Sequence, residues 1–256
     1  MLAIDIGNSR VKWAVFNDVV IQSHGVFPYN NSNLEAMFKK ADFVNGFEKA
    51  SISCVAAADI KERFIKCLKT SGCLTFNFAT TVKQQSGITN SYKLPSKMGV
   101  DRWLAMIAAN YLHNKDKITA LCIIDCGTAI TLDVLNAKGE HLGGLIMPGY
   151  QTMRTSLGLS AGNMSAGNIL SDEGEPLKKS LNKGLGVSTE EAVSKGCAQI
   201  ISGGLEVMLV KHAPQVNNNV KCIVTGGDGE WLVQQVSRSV KFEPYLVLQG
   251  LRCISL

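Results

Sequence analysis

Four short stretches of this chain carry the residue types that phosphate and proton chemistry need. The first is Asp5-Ile6-Gly7-Asn8-Ser9, followed by Arg10-Val11-Lys12: a carboxylate, a glycine, a hydroxyl and two cations within eight residues. A glycine turn allows backbone N–H groups to converge on an anion, Ser9 adds a hydroxyl donor and Lys12 a charge. Asp5 would repel a phosphate unless a divalent cation, Mg2+, sits between them or is held through water. The same residue types also suit an ordinary hairpin turn. The second stretch, Asp125-Cys126-Gly127-Thr128-Ala129, repeats the first at an offset of 125 − 5 = 120 residues. The third is the glycine turn Thr225-Gly226-Gly227-Asp228-Gly229. The fourth, Gly99-Val100-Asp101-Arg102, puts a carboxylate where a helix starts. The macrodipole stabilises an anion there, so Asp101 reads as a first-turn cap or, with Arg102 beside it, as a solvated surface pair.

The surrounding patterns say what must position these groups. An apolar run enters Asp5 and alternation resumes at Val11, Trp13 and Val15, which predicts two strands joined by a tight turn. A strand over 19–27, a helix over 34–41 capped by Asn33, a strand over 50–56, a helix over 59–69 and a strand over 74–78 follow. Residues 79–97 form a long polar connection before the helix that begins at 99–102. The charged stretch 114–117 reads as a linker. Beyond it come a second hairpin over 120–135, a strand ending at Pro148-Gly149, a helix from Tyr150 and a Gly/Ser/Asn-rich loop over 160–178. Ser188 and Glu191 have capping-box spacing, opening a helix that continues over 196–209, and a buried strand over 222–225 precedes a helix at Trp231. A repeat spaced at nearly half the chain points to two related domains, 1–116 and 117–256, with a nucleotide cleft between them.

Composition narrows the class. With 256 residues, 46% hydrophobic and 18% charged, the chain is globular in character. The net charge of +5 is scattered, without the basic stripe of a nucleic-acid binder. No uninterrupted apolar run reaches membrane-spanning length and no signal peptide is expected, so the location expected is cytoplasmic. Four of the eight cysteines, Cys54, Cys122, Cys126 and Cys222, lie in strand-like runs and read as buried thiols, without zinc-knuckle spacing.

Taken together, the repeated Asp-x-Gly turns and the third glycine turn resemble the actin, Hsp70 and sugar-kinase superfamily. Within it the chain is similar to the type III pantothenate kinases. The resemblance is carried by residues 5–9, Tyr92, Gly99 to Arg102, residues 125–128, Gly143-Gly144 with Pro148-Gly149, Thr189 and Thr225 to Gly227. It implies an α/β fold of two duplicated ribonuclease H-like (actin-like ATPase) domains, each a mixed sheet flanked by helices. It also implies ATP-dependent phosphorylation of pantothenate to 4′-phosphopantothenate, the first step of coenzyme A biosynthesis. By the same resemblance Asp5, Ile6, Gly7, Asn8, Ser9, Arg10, Val11 and Lys12 hold the ATP phosphates and Thr128 contacts ATP. Asp101 is the general base, and Tyr92, Gly99, Val100, Asp101, Arg102 and Thr189 contact pantothenate. Asp125 holds a monovalent cation, K+ or NH4+, and the enzyme is a homodimer. Ser9 stands where the family usually has Thr and keeps the hydroxyl. Two alternatives stay open: another small-molecule kinase or phosphohydrolase of the superfamily, and a non-catalytic nucleotide-binding regulator.

Overall fold

The structure is a computed structural model and describes residues 1–41, 43–44, 46–160, 184–212, 220–236 and 239–255. Strand β1 (Leu2–Ile6) is the centre of the first sheet, antiparallel to β2 (Arg10–Asn17) and parallel to β4 (Lys49–Cys54). With β3 (Val20–Pro28) and β5 (Thr75–Phe78) the order is β3-β2-β1-β4-β5. All five residues of β1 are buried, as an interior strand covered on both faces requires.

The register pairs Ile6 with Val11, Ile4 with Trp13 and Leu2 with Val15, so strand alternation points all six to one face. Helix α1 (Leu34–Ala41) and helix α2 (Ala58–Thr70) cover that face with Leu34, Phe38, Ile60, Phe64 and Leu68. Asn33 does not cap α1 with its side chain; its Oδ1 accepts instead from the Asn30 N–H at 2.7 Å. On the opposite face Ala3 and Ala14 are fully buried. Helix α3 (Val100–His113) and the C-terminal helix Leu246–Ile254 pack there, against each other and against the sheet.

The second sheet repeats this plan. Strand β8 (Ala120–Cys126) is antiparallel to β9 (Ala129–Leu135) and parallel to β11 (Val220–Thr225). With β10 (His141–Pro148) and β12 (Val240–Phe242) the order is β10-β9-β8-β11-β12. Between β5 and β8 in the chain lies a two-stranded ribbon, β6 (Gln84–Gln85) and β7 (Ile88–Thr89), inside the connection read from the sequence as loop. Helix α4 (Tyr150–Ser160) and helix α5 (Thr189–His212) follow β10. Cys197, Ile201, Leu205 and Leu209 recur every four residues along α5 and enter a core with Ile124, Ile130, Leu132 and Trp231. Helix α6 (Gly229–Val233) follows β11, and Leu246–Ile254 is α7.

The two compact units are not two continuous halves. The first comprises Met1–Lys115, Lys138–His141 and Tyr245–Leu256; the second comprises Asp116–Ala137 and Leu142–Pro244. Residues 138–141 and 245–256 differ from the expected 116/117 division because their contacts lie elsewhere. The Thr89 N–H donates to the Gly139 carbonyl at 3.0 Å, and α7 packs on α3.

By length and composition, 189–211 within α5 could cross a membrane, with mean hydropathy 1.2. Lys195 and Glu206 interrupt it, so a search for an uninterrupted apolar run passes over it. The core contacts above give it a structural role in the second unit. The eight cysteines are free thiols, and five of them, Cys73, Cys122, Cys126, Cys197 and Cys222, are buried. The Gly/Ser/Asn-rich loop expected over 160–178 lies, from 161 on, outside the described residues.

Candidate active site

The first turn hangs on a row of three side chains. Asp5 is opposite Lys12 on β2 and opposite Ser53 on β4, so the three share one face of the sheet. Asp5 is 7% exposed, Lys12 is half-buried, and Ser53 is fully buried with no hydrogen-bond partner for its hydroxyl among the described residues. The turn closes through the Gly7 N–H donating to the Arg10 carbonyl at 3.1 Å. Tyr29 clamps it from the side: its hydroxyl donates to the Gly7 carbonyl at 2.5 Å and its N–H to the Ser9 carbonyl at 3.1 Å. Burial, with the nearby Cys54, Asp5 and Asp59, pushes the Tyr29 hydroxyl up, which keeps it a proton donor.

Asn8, Ser9 and Arg10 project into solvent, whereas the side chains of Ile6 and Val11 belong to the core and leave only their backbone for a ligand. Gly7 is not in the left-handed region, contrary to the freedom its residue type suggests. What a side chain there would meet is the Arg10 carbonyl at 3.3 Å.

The second turn is shorter and more tightly packed. Asp125 is opposite Thr131 on β9 and Thr225 on β11, and the Gly127 N–H donates to the Ala129 carbonyl at 3.0 Å. The other glycine turns of this unit converge on it. Gly226 has φ of +93°, and a side chain there would collide with the Cys126 carbonyl and the Asp125 carboxylate. The Asp228 N–H donates to that Cys126 carbonyl at 3.1 Å. From the other side the Gly149 N–H at 3.0 Å and the Thr152 hydroxyl at 2.6 Å donate to the Thr128 carbonyl. Thr128 therefore keeps its side chain exposed while its carbonyl is engaged. Burial, then the charges of Asp125 and Asp228, push the Cys126 thiol well above its usual range, so it is inert packing.

The third cluster lies in the first unit. Helix α3 begins after Gly99 with no side-chain cap, and Asp101 Oδ1 accepts from the Arg102 N–H at 2.8 Å. A Cβ at position 99 would stand 2.5 Å from that oxygen, so the glycine makes room for the carboxylate. Arg102, 6% exposed, donates from Nη1 to the Tyr92 hydroxyl at 3.0 Å, with its guanidinium 5.8 Å from the ring centre. The Tyr92 N–H donates to Asn90 Oδ1 at 2.9 Å, and Asn90 is fully buried. Tyr92 thus meets the start of α3 through Arg102. Thr189 stands in the second unit, exposed in the first turn of α5. There the Glu191 N–H donates to Ser188 Oγ at 3.2 Å, while Glu191 Oε2 accepts from Val187 N–H at 3.2 Å and Lys195 at 3.3 Å. The capping box read from the sequence forms, its return leg shifted by one residue.

Sequence reasoning passed over Ser53, Tyr29 and Asn90. Ser53 and Asn90 carried no local signal, and Tyr29 sits in a stretch whose composition says only loop.

Oxygen donors suit both cations implied above. The Asp5 carboxylate and the Ser53 and Ser9 hydroxyls are hard ligands of the kind Mg2+ takes. Among the described residues no three His, Cys, Asp or Glu side chains form a metal cage. Asp125 faces two neutral hydroxyl residues, a setting that fits a singly charged cation.

The sequence profile of a family described as type III pantothenate kinase matches residues 1–211. The type III pantothenate kinase of Nitrosococcus oceani is 31% identical over 98% of this chain and 92% of its own. That of Nitrosospira multiformis is 31% identical over 100% of this chain and 90% of its own. A Campylobacter jejuni structure described as a Baf family transcriptional activator aligns over 99% of this chain and 96% of its own, with TM-score 0.54 and 19% identity. The ethanolamine utilization protein EutJ of Carboxydothermus hydrogenoformans aligns over 99% and 89%, with TM-score 0.56 and 12% identity. At such identities these two structures share the fold alone.

Proposed function

The chain belongs to the type III pantothenate kinase family, and we propose that it transfers the γ-phosphoryl group of ATP to the primary hydroxyl of pantothenate with Asp101 as general base. The hydroxyl oxygen forms the new bond to phosphorus, the bond to the bridging oxygen breaks and ADP leaves. Such transfers pass through a loose transition state, so positioning and charge neutralisation matter more than covalent help. The observation that carries the assignment is the Asp101 carboxylate at the start of α3, held by the Arg102 N–H at 2.8 Å beside the Tyr92–Arg102 pair. One Asp101 oxygen is oriented by the backbone, and the helix dipole favours its ionised form before it takes the proton. Tyr92, Gly99, Val100, Arg102 and Thr189 are the proposed pantothenate contacts.

On the donor side, the turn from Asp5 to Lys12 and the exposed Thr128 side chain are the proposed ATP contacts. The backbone N–H groups and Lys12 neutralise phosphate charge, and Ser9 adds a donor. Asp5 and Ser53 would hold Mg2+, and Asp125 a monovalent cation; both ions would spread the negative charge of the transferring group.

A homodimer is part of the proposal. Ile200, Val207 and Val210 lie along one face of α5 and are 62%, 65% and 56% exposed, and Ile146 on edge strand β10 is 63% exposed. Apolar surface of this kind favours association, and a second copy of this chain is the proposed occupant. We place the enzyme in the cytoplasm.

The deciding experiment is ADP release measured with and without pantothenate, and with and without K+. Pantothenate-dependent turnover is expected, falling about 10²- to 10⁴-fold in Asp101→Asn with thermal stability preserved. Turnover that ignores pantothenate under every cation would overturn the acceptor assignment. Near-wild-type turnover in Asp101→Asn would remove only the base.

A further inference from the structure

The stretch that carries Tyr92 is fastened by groups close to it in sequence and by one that is not. Thr81 Oγ1 donates to the Met98 carbonyl at 3.1 Å, and Lys83 Nζ to the Asn90 carbonyl at 2.6 Å. Asn90 takes the Tyr92 N–H, as described above. The distant group is His141, 50 residues beyond Ser91, at the first position of β10. It is 3% exposed. Its Nδ1 shares a 2.9 Å hydrogen bond with Ser91 Oγ, and its ring centre lies 6.2 Å from that of Tyr92, tilted by 33°. Two positions before it, the Gly139 carbonyl accepts from the Thr89 N–H at 3.0 Å, so the turn that brings His141 is itself tied to this connection.

We propose that His141 is a positioning residue for pantothenate. It holds Ser91 by a hydrogen bond and the Tyr92 ring by contact, so that the Tyr92 hydroxyl and the Arg102 guanidinium offer the acceptor one fixed polar surface. A half-buried tyrosine at the end of a long connection has ring torsions to lose, and a buried imidazole beside it removes that freedom before substrate arrives. The inference rests on the assignment of Tyr92 and Arg102 to pantothenate made above. Nothing in the local sequence of His141 signals it, because its role comes from a turn that joins the first unit through tertiary contacts.

The test is steady-state kinetics with each substrate varied in turn. His141→Ala is expected to raise KM for pantothenate about tenfold while KM for ATP stays within about twofold, since misplacement acts on one substrate only. His141→Phe keeps a ring and loses the bond to Ser91; His141→Asn keeps a polar atom and loses the ring. Each should recover part of the lost binding. Ser91→Ala reaches the same contact from an exposed residue. It should raise KM for pantothenate about threefold and add nothing to His141→Ala, because both remove one interaction. Should the buried alanine variant fail to fold, Ser91→Ala and His141→Asn carry the test.

If Tyr92→Phe raises KM for pantothenate and the His141 and Ser91 variants leave it unchanged, His141 has no positioning role and the acceptor assignment stands. If none of them changes it, Tyr92→Phe included, the acceptor assignment falls and this inference with it. Equal rises for both substrates would mean general loosening and would overturn positioning.

Discussion

The two Asp-x-Gly hairpins occupy equivalent places in sheets of identical strand order, yet they are built differently. In the first, Asp5 pairs with Lys12 and the turn spans three residues; in the second, Asp125 pairs with Thr131 and the turn spans two. Aligning the aspartates makes the strands agree up to Ile6 and Cys126, and then the register slips by one. Beyond the turns the pairing agrees again, with Lys12 and Thr131 at equivalent positions across from the acids. The supports differ as well. Tyr29 holds the first turn by two hydrogen bonds and leaves Asn8 to Arg10 exposed. Backbone from the Gly149 and Gly226 turns presses on the second. A duplicated frame has thus become one turn with a lysine across from its acid and a tyrosine clamp, and one shorter turn with a threonine across from its acid and glycine turns packed on it.

The largest expected break of this contrast is in stability. Gly226→Ala puts a side chain at φ of +93° against the Cys126 carbonyl and should cost about 3 kcal/mol or more in denaturant unfolding. Gly7→Ala meets only the Arg10 carbonyl at 3.3 Å, outside the left-handed region, and should cost about 1 kcal/mol or less. Equal losses would mean that the two turns are packed alike.

Charge is the next difference. Lys12→Met should raise KM for ATP about tenfold, near 1.4 kcal/mol, with KM for pantothenate unchanged. An unaltered KM for ATP would take Lys12 off the phosphates. In the converse exchange, Thr131→Lys gives the second turn the cation of the first. A tethered ammonium opposite Asp125 should replace the bound ion, so stimulation by K+ falls to about twofold or less. Full K+ stimulation in that variant would separate Asp125 from the cation site.

The smallest effect lies away from both turns. On the exposed side where α1 meets α2, Arg63 of α2 donates to Glu35 of α1 and holds its carboxyl down to about 2, below its usual 4.5. A depressed carboxyl adds stability above its unfolded value, and that contribution is lost as pH falls from about 4.5 towards 2. Because the pair is exposed, Glu35→Gln should barely move the melting temperature at pH 7 and should flatten its slope only in that acid window. A large shift at neutral pH would show the pair to be more than a surface bridge.

Much of this was legible in the residues themselves. Strand alternation at Val11, Trp13 and Val15, the four-residue spacing of Ile60, Phe64 and Leu68, and the Ser188/Glu191 cap each express a local backbone geometry that side-chain order alone encodes. The grouping of Tyr92 with Gly99 to Arg102 came from the family resemblance, and the structure supplies the Arg102–Tyr92 hydrogen bond within it. Ser53, Tyr29 and His141 were not legible, since each reaches its partner through a register or a docked turn.

The sequence by itself determined the two hairpins, their repeat, the buried thiols Cys122, Cys126 and Cys222, though not the half-buried Cys54 that it also expected buried, and the acid at the start of α3, all of them properties of residue type and short spacing. Only the tertiary structure decided that Lys12 opposes Asp5 while Thr131 opposes Asp125, that Gly226 lies against the second turn, and that residues 138–141 and 245–256 belong with the first unit. The physical reason is that a one-residue change in a turn resets every cross-strand partner. Close packing between segments a hundred residues apart is set by the fit of whole surfaces, which no local pattern records.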